Sequence, residues 1–260
     1  MQHSVKYTIL FAAAVCVACA ILVSTSAVSL ADLQDANALL DKRKNVLLAA
    51  GLIEEGQRVT AADVEKLFEN VKAVAVDLES GELAADVNVE TYDQQKAKMD
   101  PATSYEAPPN PSVIKRLPNS AVVYHVLGAQ GQIEMIVLPI EGYGLWGTLY
   151  GFLALDVDTT TVRGLTYYQH KETPGLGGEV DNPRWKGLWP GRIAFDENGE
   201  VAIQVIKGQA GPPSSDPHHV DGLGGATITS RGVTNMLRFW LGENGFATYL
   251  EKFRQGRQVS

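Results

Sequence analysis

The sequence predicts an α+β fold, an antiparallel sheet with flanking helices, preceded by one N-terminal transmembrane helix. Three observations predict it: an uncharged apolar run opens the chain, two-residue alternation occupies its middle, and helical periodicity brackets that middle on both sides. With 260 residues, 45% of them hydrophobic, the chain has room for one globular domain and an appendage. Its core needs neither disulfides nor metal.

The apolar run extends from Tyr7 to Ala31, 25 residues without a charge. As a helix it would span roughly 37 Å at about 1.5 Å per residue, enough for a bilayer core of ~30 Å. A cleavable signal peptide is the competing reading, with small residues from Ser24 to Ala27 at its cleavage region. The run exceeds the roughly 7–15 residues of such a peptide's apolar centre, which favours a retained anchor. Lys6 before it and Asp32 and Asp35 after it orient the N-terminus inward and the rest outside the cytoplasm. Cys16 and Cys19 are the only cysteines and both lie in this run, so no disulfide framework or thiolate metal site is expected beyond it.

The expected organisation is an anchor at residues 1–31, a helical and loop region packing on the main domain at 32–118, and the main domain at 119–260. In the second part, Leu33, Ala36, Leu39, Leu40, Val46 and Leu47 recur at helical spacing up to Gly51 and read as a separate amphipathic helix. Another begins at Thr60, where Asp63 three residues on completes a capping box, and runs to about Val71. Four prolines between Pro101 and Pro111 make residues 100–118 a surface loop.

Strand signals follow. Ala121–Leu127 and Ile133–Pro139 flank a turn at Gln130 and Gly131, and Thr148–Val157 and Val162–His170 flank Asp158 and its threonines. A third hairpin is expected from Gly191–Phe195 and Val201–Lys207 around Asp196, Asn198 and Gly199. Helices close the chain, about Ser230–Leu241 and Phe246–Phe253, with a break at Gly242–Gly245.

Charge narrows the partners. Outside the anchor and Lys6 there are 21 Lys and Arg against 30 Asp and Glu, a net −9 that disfavours nucleic acid. No Rossmann or Walker loop is present, and no set of nucleophile, base and orienting group suggests hydrolysis. His218 and His219 adjoin each other and make a poor chelating pair, so no metal site is expected.

Chemistry concentrates in three glycine-bearing segments. In DGLGGATITS, Asp221 to Ser230, clustered glycines precede the hydroxyls of Thr227, Thr229 and Ser230 at a helix start, a natural phosphate site. His170 to Arg192 offers a turn of exposed amides around Glu172, Thr173, Leu176 and Gly177. Glu141 to Phe152 places Trp146 between glycines, while Tyr143, Tyr150 and Phe152 read as core. Lys207 adds a positive charge shortly before the first of these.

The run DGLGGATITS resembles the flavinylation motif of a family of FMN-binding proteins, comprising the NqrC proteins of sodium-translocating NADH:quinone oxidoreductases and their counterparts in Rnf complexes. Asp221, Gly224, Gly225, Ala226 and Thr227 take its positions, with Gly224 where Ser or Thr is usual. The resemblance implies that 119–260 is an FMN-binding domain and that Thr227 carries FMN as a phosphoester. It places Leu145, Trp146, Glu172, Thr173, Leu176, Gly177, Gly225 and Ala226 about the flavin. Lys207, at a strand end shortly before the motif, reads either as a positive charge near the flavin's pyrimidine edge or as a solvated lysine. The resemblance further implies an electron relay, without a catalytic site of its own, in a six-subunit assembly of membrane and flavoprotein subunits. Electrons would arrive from an iron centre and leave for a second covalent FMN. A separate flavin transferase using FAD and Mg²⁺ would attach the cofactor, and the chain would be a single-pass protein of the bacterial inner membrane with a periplasmic domain. The helical region after Asp32 favours the quinone-reductase branch of the family over the Rnf branch, and an anchored protein binding flavin noncovalently remains the other alternative.

Overall fold

The computed structural model describes residues 4–256. They form two compact units, one up to Lys42 and one from Arg43 onward.

The first helix, α1 (Val5–Ala49), is one uninterrupted helix of 45 residues. The separate amphipathic helix expected after the anchor does not exist as such, because nothing breaks the run: the chain has no glycine or proline before Gly51. Leu33 and Leu39 are exposed, and within α1 only Val46, Leu47 and Ala49 are buried. Its apolar N-terminal part is long and apolar enough to cross a membrane and is fully exposed.

Helix α2 (Ala61–Phe68) starts at the expected capping box, Thr60 and Asp63 each accepting the other's backbone N–H. It ends before Val71, where strand β1 (Val71–Asp77) begins in place of the expected last helical turn. Helix α3 (Gln94–Met99) leads into the proline-rich stretch, which holds a small ladder of β2 (Ser104–Glu106) and β3 (Arg116–Pro118). That stretch is not all surface. Ser104, Ser112, Ile114 and Leu117 are buried, and Arg116 donates to Ser104 Oγ and O.

Four strands then run as a meander: β4 (Ser120–Leu127), β5 (Ile133–Tyr143), β6 (Thr148–Asp156) and β7 (Val162–Gln169). With β1 beside β4 they make a five-stranded antiparallel sheet of order β1-β4-β5-β6-β7. Both faces are covered, so β4 is buried almost throughout instead of alternating with solvent. On one face Ala121, Val123, Ile136, Leu138 and Ile140 pack in the main core with helices α5 (Thr227–Leu241) and α6 (Ala247–Arg254), after the short α4 (Pro183–Lys186) and the strands β8 (Gln204–Val205) and β9 (His219–Val220). On the other, Tyr124 meets Phe68 and Phe152 edge-on, and Thr166 donates to Asn45 at the end of α1.

The third hairpin is corrected. Its turn exists, Asp196 Oδ1 accepting from Asn198 and Glu200 N–H at 2.9 Å each, but the arms form no strand ladder, meeting at the bridge Phe195–Val201 and where Ala194 O accepts from Ala202 and Ile203 N–H. Ile193 bridges Thr161 and donates to Pro217 O, while β8 pairs in parallel with β9, so each arm takes a partner distant in sequence.

Helix α5 is fixed against β5. The Trp240 indole N–H donates to Glu141 O at 2.7 Å, and a Cβ on Gly142 would lie 2.7 Å from Met236. Thus α5 and the β5–β6 hairpin are carried on the same strand.

Candidate functional site

The β5–β6 hairpin closes through Tyr143 and Thr148, with Gly144 N–H donating to Gly147 O at 2.8 Å. Leu145 and Trp146 sit at its tip with exposed side chains, Trp146 at 62%. Their backbone N–H groups both donate to Glu172 Oε1, at 3.0 and 2.9 Å. Glu172 follows β7, which runs beside β6 and returns the chain to that tip. Its own N–H donates to His170 Nδ1, and His170 Nε2 meets Asp181 at 2.7 Å, so the turn after β7 is held from both sides. Glu172 Oε2 accepts from the Thr229 hydroxyl at 2.6 Å. One buried carboxylate therefore joins all three glycine-bearing segments.

Two glycines make this possible. A Cβ on Gly144 would lie 2.6 Å from Glu172 Oε1, and one on Gly177 would strike Glu172 Oε2 and come within 2.6 Å of Thr229 Oγ1. Next to them Thr173 O accepts from Leu176 and Gly178 N–H, shaping a turn that leaves the Thr173 and Leu176 side chains exposed. Leu176 also packs over Gly225, whose φ is +70°.

Thr227 is the first residue of α5. Ala226 before it is buried and provides no side-chain cap, so the first amides of α5 are left to a ligand or solvent. Thr227 is exposed and lines a cleft of about 650 Å³ with Lys207, Arg231, Arg238 and Asn235. Lys207 and Arg231 are exposed and make no ion pair among the described residues, whereas Arg238 donates to Gln204. Lys207 is brought there by two latches: Gly222 N–H donates to Gly208 O, and Ala210 N–H to Asp221 Oδ1 at 2.8 Å.

The sequence-predicted residues thus fall into two groups. Leu145, Trp146, Leu176, Gly177 and Glu172 gather around the carboxylate, while Lys207 shares the basic cleft with Thr227 and Gly225. Tyr143, read as core, is 42% exposed beside the hairpin tip, whereas Phe152 is fully buried. Sequence reasoning missed Arg231, although it stands one helical turn after Thr227 and so on its face. It also missed the structural use of Thr229 and Ser230. Both are buried, and Ser230 Oγ accepts from Leu223 N–H at 3.0 Å. His218 and His219 bond separately, to Ile193 O and to Gln204 and Asp216, and no group of metal-binding side chains occurs among the described residues.

An exposed hydroxyl at an uncapped helix start, in a cleft with cations and on a helix tied through Thr229 and Glu172 to a tip of exposed apolar side chains, defines a binding domain for a phosphorylated, partly apolar ligand. Residues 144–242 match the family model for the FMN-binding domain. The chain is 46% identical to the NqrC protein of the Na⁺-translocating NADH-quinone reductase of Pseudomonas aeruginosa, over 98% of each chain. It is 44% identical to that of Yersinia pestis, over 98% of this chain and 95% of the other. The crystal structure of Shewanella oneidensis NqrC superposes with a TM-score of 0.76 at 34% identity, covering 83% of this chain and 97% of that one. The corresponding crystal structure from Parabacteroides distasonis gives 0.64 at 27%, over 85% and 96%. The chain belongs to the NqrC family, a component of the Na⁺-translocating NADH-quinone reductases.

Proposed function

We propose that this chain is the covalently flavinylated, membrane-anchored electron carrier of its complex, with FMN held through a phosphoester to Thr227. The supporting observation is the fate of the three hydroxyls after Ala226. Thr229 and Ser230 are buried and bonded within the protein, whereas Thr227 is exposed at a cleft with Lys207 and Arg231.

The residues present fit FMN. A phosphodiester keeps one negative charge, which the first amides of α5 and the Lys207 and Arg231 side chains balance. Lys207 thereby belongs to the phosphate end more than to the pyrimidine edge. Leu145, Trp146 and Leu176, with Ile228 beside the acceptor, present apolar surface suited to an isoalloxazine, and the turn at Thr173 and Gly177 presents polar backbone at its rim. When bound, FMN supplies one-electron chemistry, and the chain binds and orients it. Gly225 and Ala226 keep the backbone close to the acceptor.

In this reading the partners are the other membrane and flavoprotein subunits of a six-subunit assembly. Electrons come from an iron centre between membrane subunits and pass to a second covalent FMN. A flavin transferase attaches the cofactor from FAD with Mg²⁺, and the apolar part of α1 anchors the chain in the bacterial inner membrane with its domain in the periplasm. Division of the chain into an anchor to residue 31, a packing region to 118 and the FMN-binding domain belongs to the same reading.

Expression with a flavin transferase followed by denaturing gel electrophoresis tests it. The wild-type band is expected to fluoresce as flavin and Thr227→Ala to be dark. A dark wild-type band, or a fluorescent Thr227→Ala band, overturns the phosphoester.

A further inference from the structure

We propose that Glu172 and Thr229 are a pair of positioning residues: they lock the hairpin tip to the acceptor helix and set the charge beside the flavin. The second half of this statement rests on the flavin reading above, and the first does not.

Glu172 accepts from three donors, the Leu145 and Trp146 amides and the Thr229 hydroxyl, and is 5% exposed. Thr229 is fully buried two residues after Thr227, on the first turn of the helix that Thr227 begins. The bond between them joins positions 57 residues apart. Gly144 and Gly177 leave room for the carboxylate and for nothing larger beside it. The hydroxyl–carboxylate bond therefore ties the tip that presents Trp146 to the first turn of the helix that presents Thr227, in addition to the packing of α5 on β5.

Among the described residues no ion pair involves Glu172, so dipoles alone compensate its charge. A buried negative charge acts strongly on a neighbouring group that gains electrons, because little water screens it. Removing the Thr229 donor leaves that charge less compensated and makes reduction of the flavin harder. Replacing the carboxylate with an amide keeps an acceptor for the two backbone N–H groups and a donor toward Thr229 while removing the charge, and makes reduction easier.

Two measurements on the full chain test the pair. In chain made without a transferase, amide hydrogen exchange at Leu145 and Trp146 is expected to quicken several-fold in Thr229→Val and to stay near wild type in Thr229→Ser. Equal exchange in wild type and Thr229→Val overturns the lock, whatever becomes of the flavin. In flavinylated chain, the midpoint potential is expected to move negative in Thr229→Val, return in Thr229→Ser, and move positive in Glu172→Gln. An unchanged potential in both Thr229→Val and Glu172→Gln overturns the electrostatic role, while a chain that takes no flavin at Thr227 overturns the reading beneath it and leaves the exchange result standing.

Discussion

Both ends of β5 bury a polar pair joined at 2.6 Å: Thr229 with Glu172 near Tyr143, and His125 with Tyr249 near Ile136. The two lie about 24 Å apart along the strand, at ~3.4 Å per residue. Their surroundings differ. At the His125 end the pair packs among rings, Tyr249 stacked on the imidazole and Phe253 tilted against it, beside a cleft of about 610 Å³ that His125 and Phe253 line. At the Glu172 end it is ringed by glycines, loop amides and exposed apolar side chains. One bond fastens helix α6 to the sheet; the other fastens helix α5 to the turn after β7. The same chemistry closes the core at one end and, in the reading proposed above, frames the ligand's surroundings at the other.

The comparison can be broken most sharply at Gly177. Gly177→Ala drives a methyl into a carboxylate held by three donors, and overpacking plus lost hydrogen bonds is expected to destabilise the domain by about 3–4 kcal/mol in chemical denaturation. Acid acts next, at the other end. Burial, aided by Lys72, pushes the His125 imidazole down to about 4, so the folded protein favours the neutral ring. Its contribution is complete above the unfolded value near 6.5 and declines as pH falls toward 4, a loss on the order of 2–3 kcal/mol by pH 4.5. Denaturation series across that range are expected to show this slope in wild type and its loss in a variant lacking the imidazole. The smallest effect is expected at Gly224, where an added Cβ meets nothing within 4 Å. Gly224→Ser is expected to change stability by no more than about 0.5 kcal/mol, which separates the glycines the site needs from one it merely contains.

Much of the fold was legible. The strand signals in residues 121–127 and 133–139 named β4 and β5, and Thr60 with Asp63 named the start of α2. Strand β1 was hidden because no turn residue stronger than Asn70 separates it from the preceding helix. The third hairpin misled because its turn is real while the strands' partners, Thr161 and the stretch 217–220, carry no local signal. In the site, the glycines and hydroxyls of residues 221–230 pointed to a phosphate, and the resemblance named the ligand and singled out the other two segments. That Thr229 and Ser230 face inward and Thr227 outward depends on the phase of α5 against a carboxylate 57 residues away, which spacing along the chain does not reveal.

The Trp240–Glu141 bond has a kinetic meaning as well. Because it holds α5 to the strand that also carries the hairpin tip, the dipoles around Thr227 are already oriented before any charge arrives. For the electron carrier proposed above, a group repeatedly charged and discharged there would find its surroundings in place each time, and the small reorganisation this leaves would let electrons move quickly in either direction.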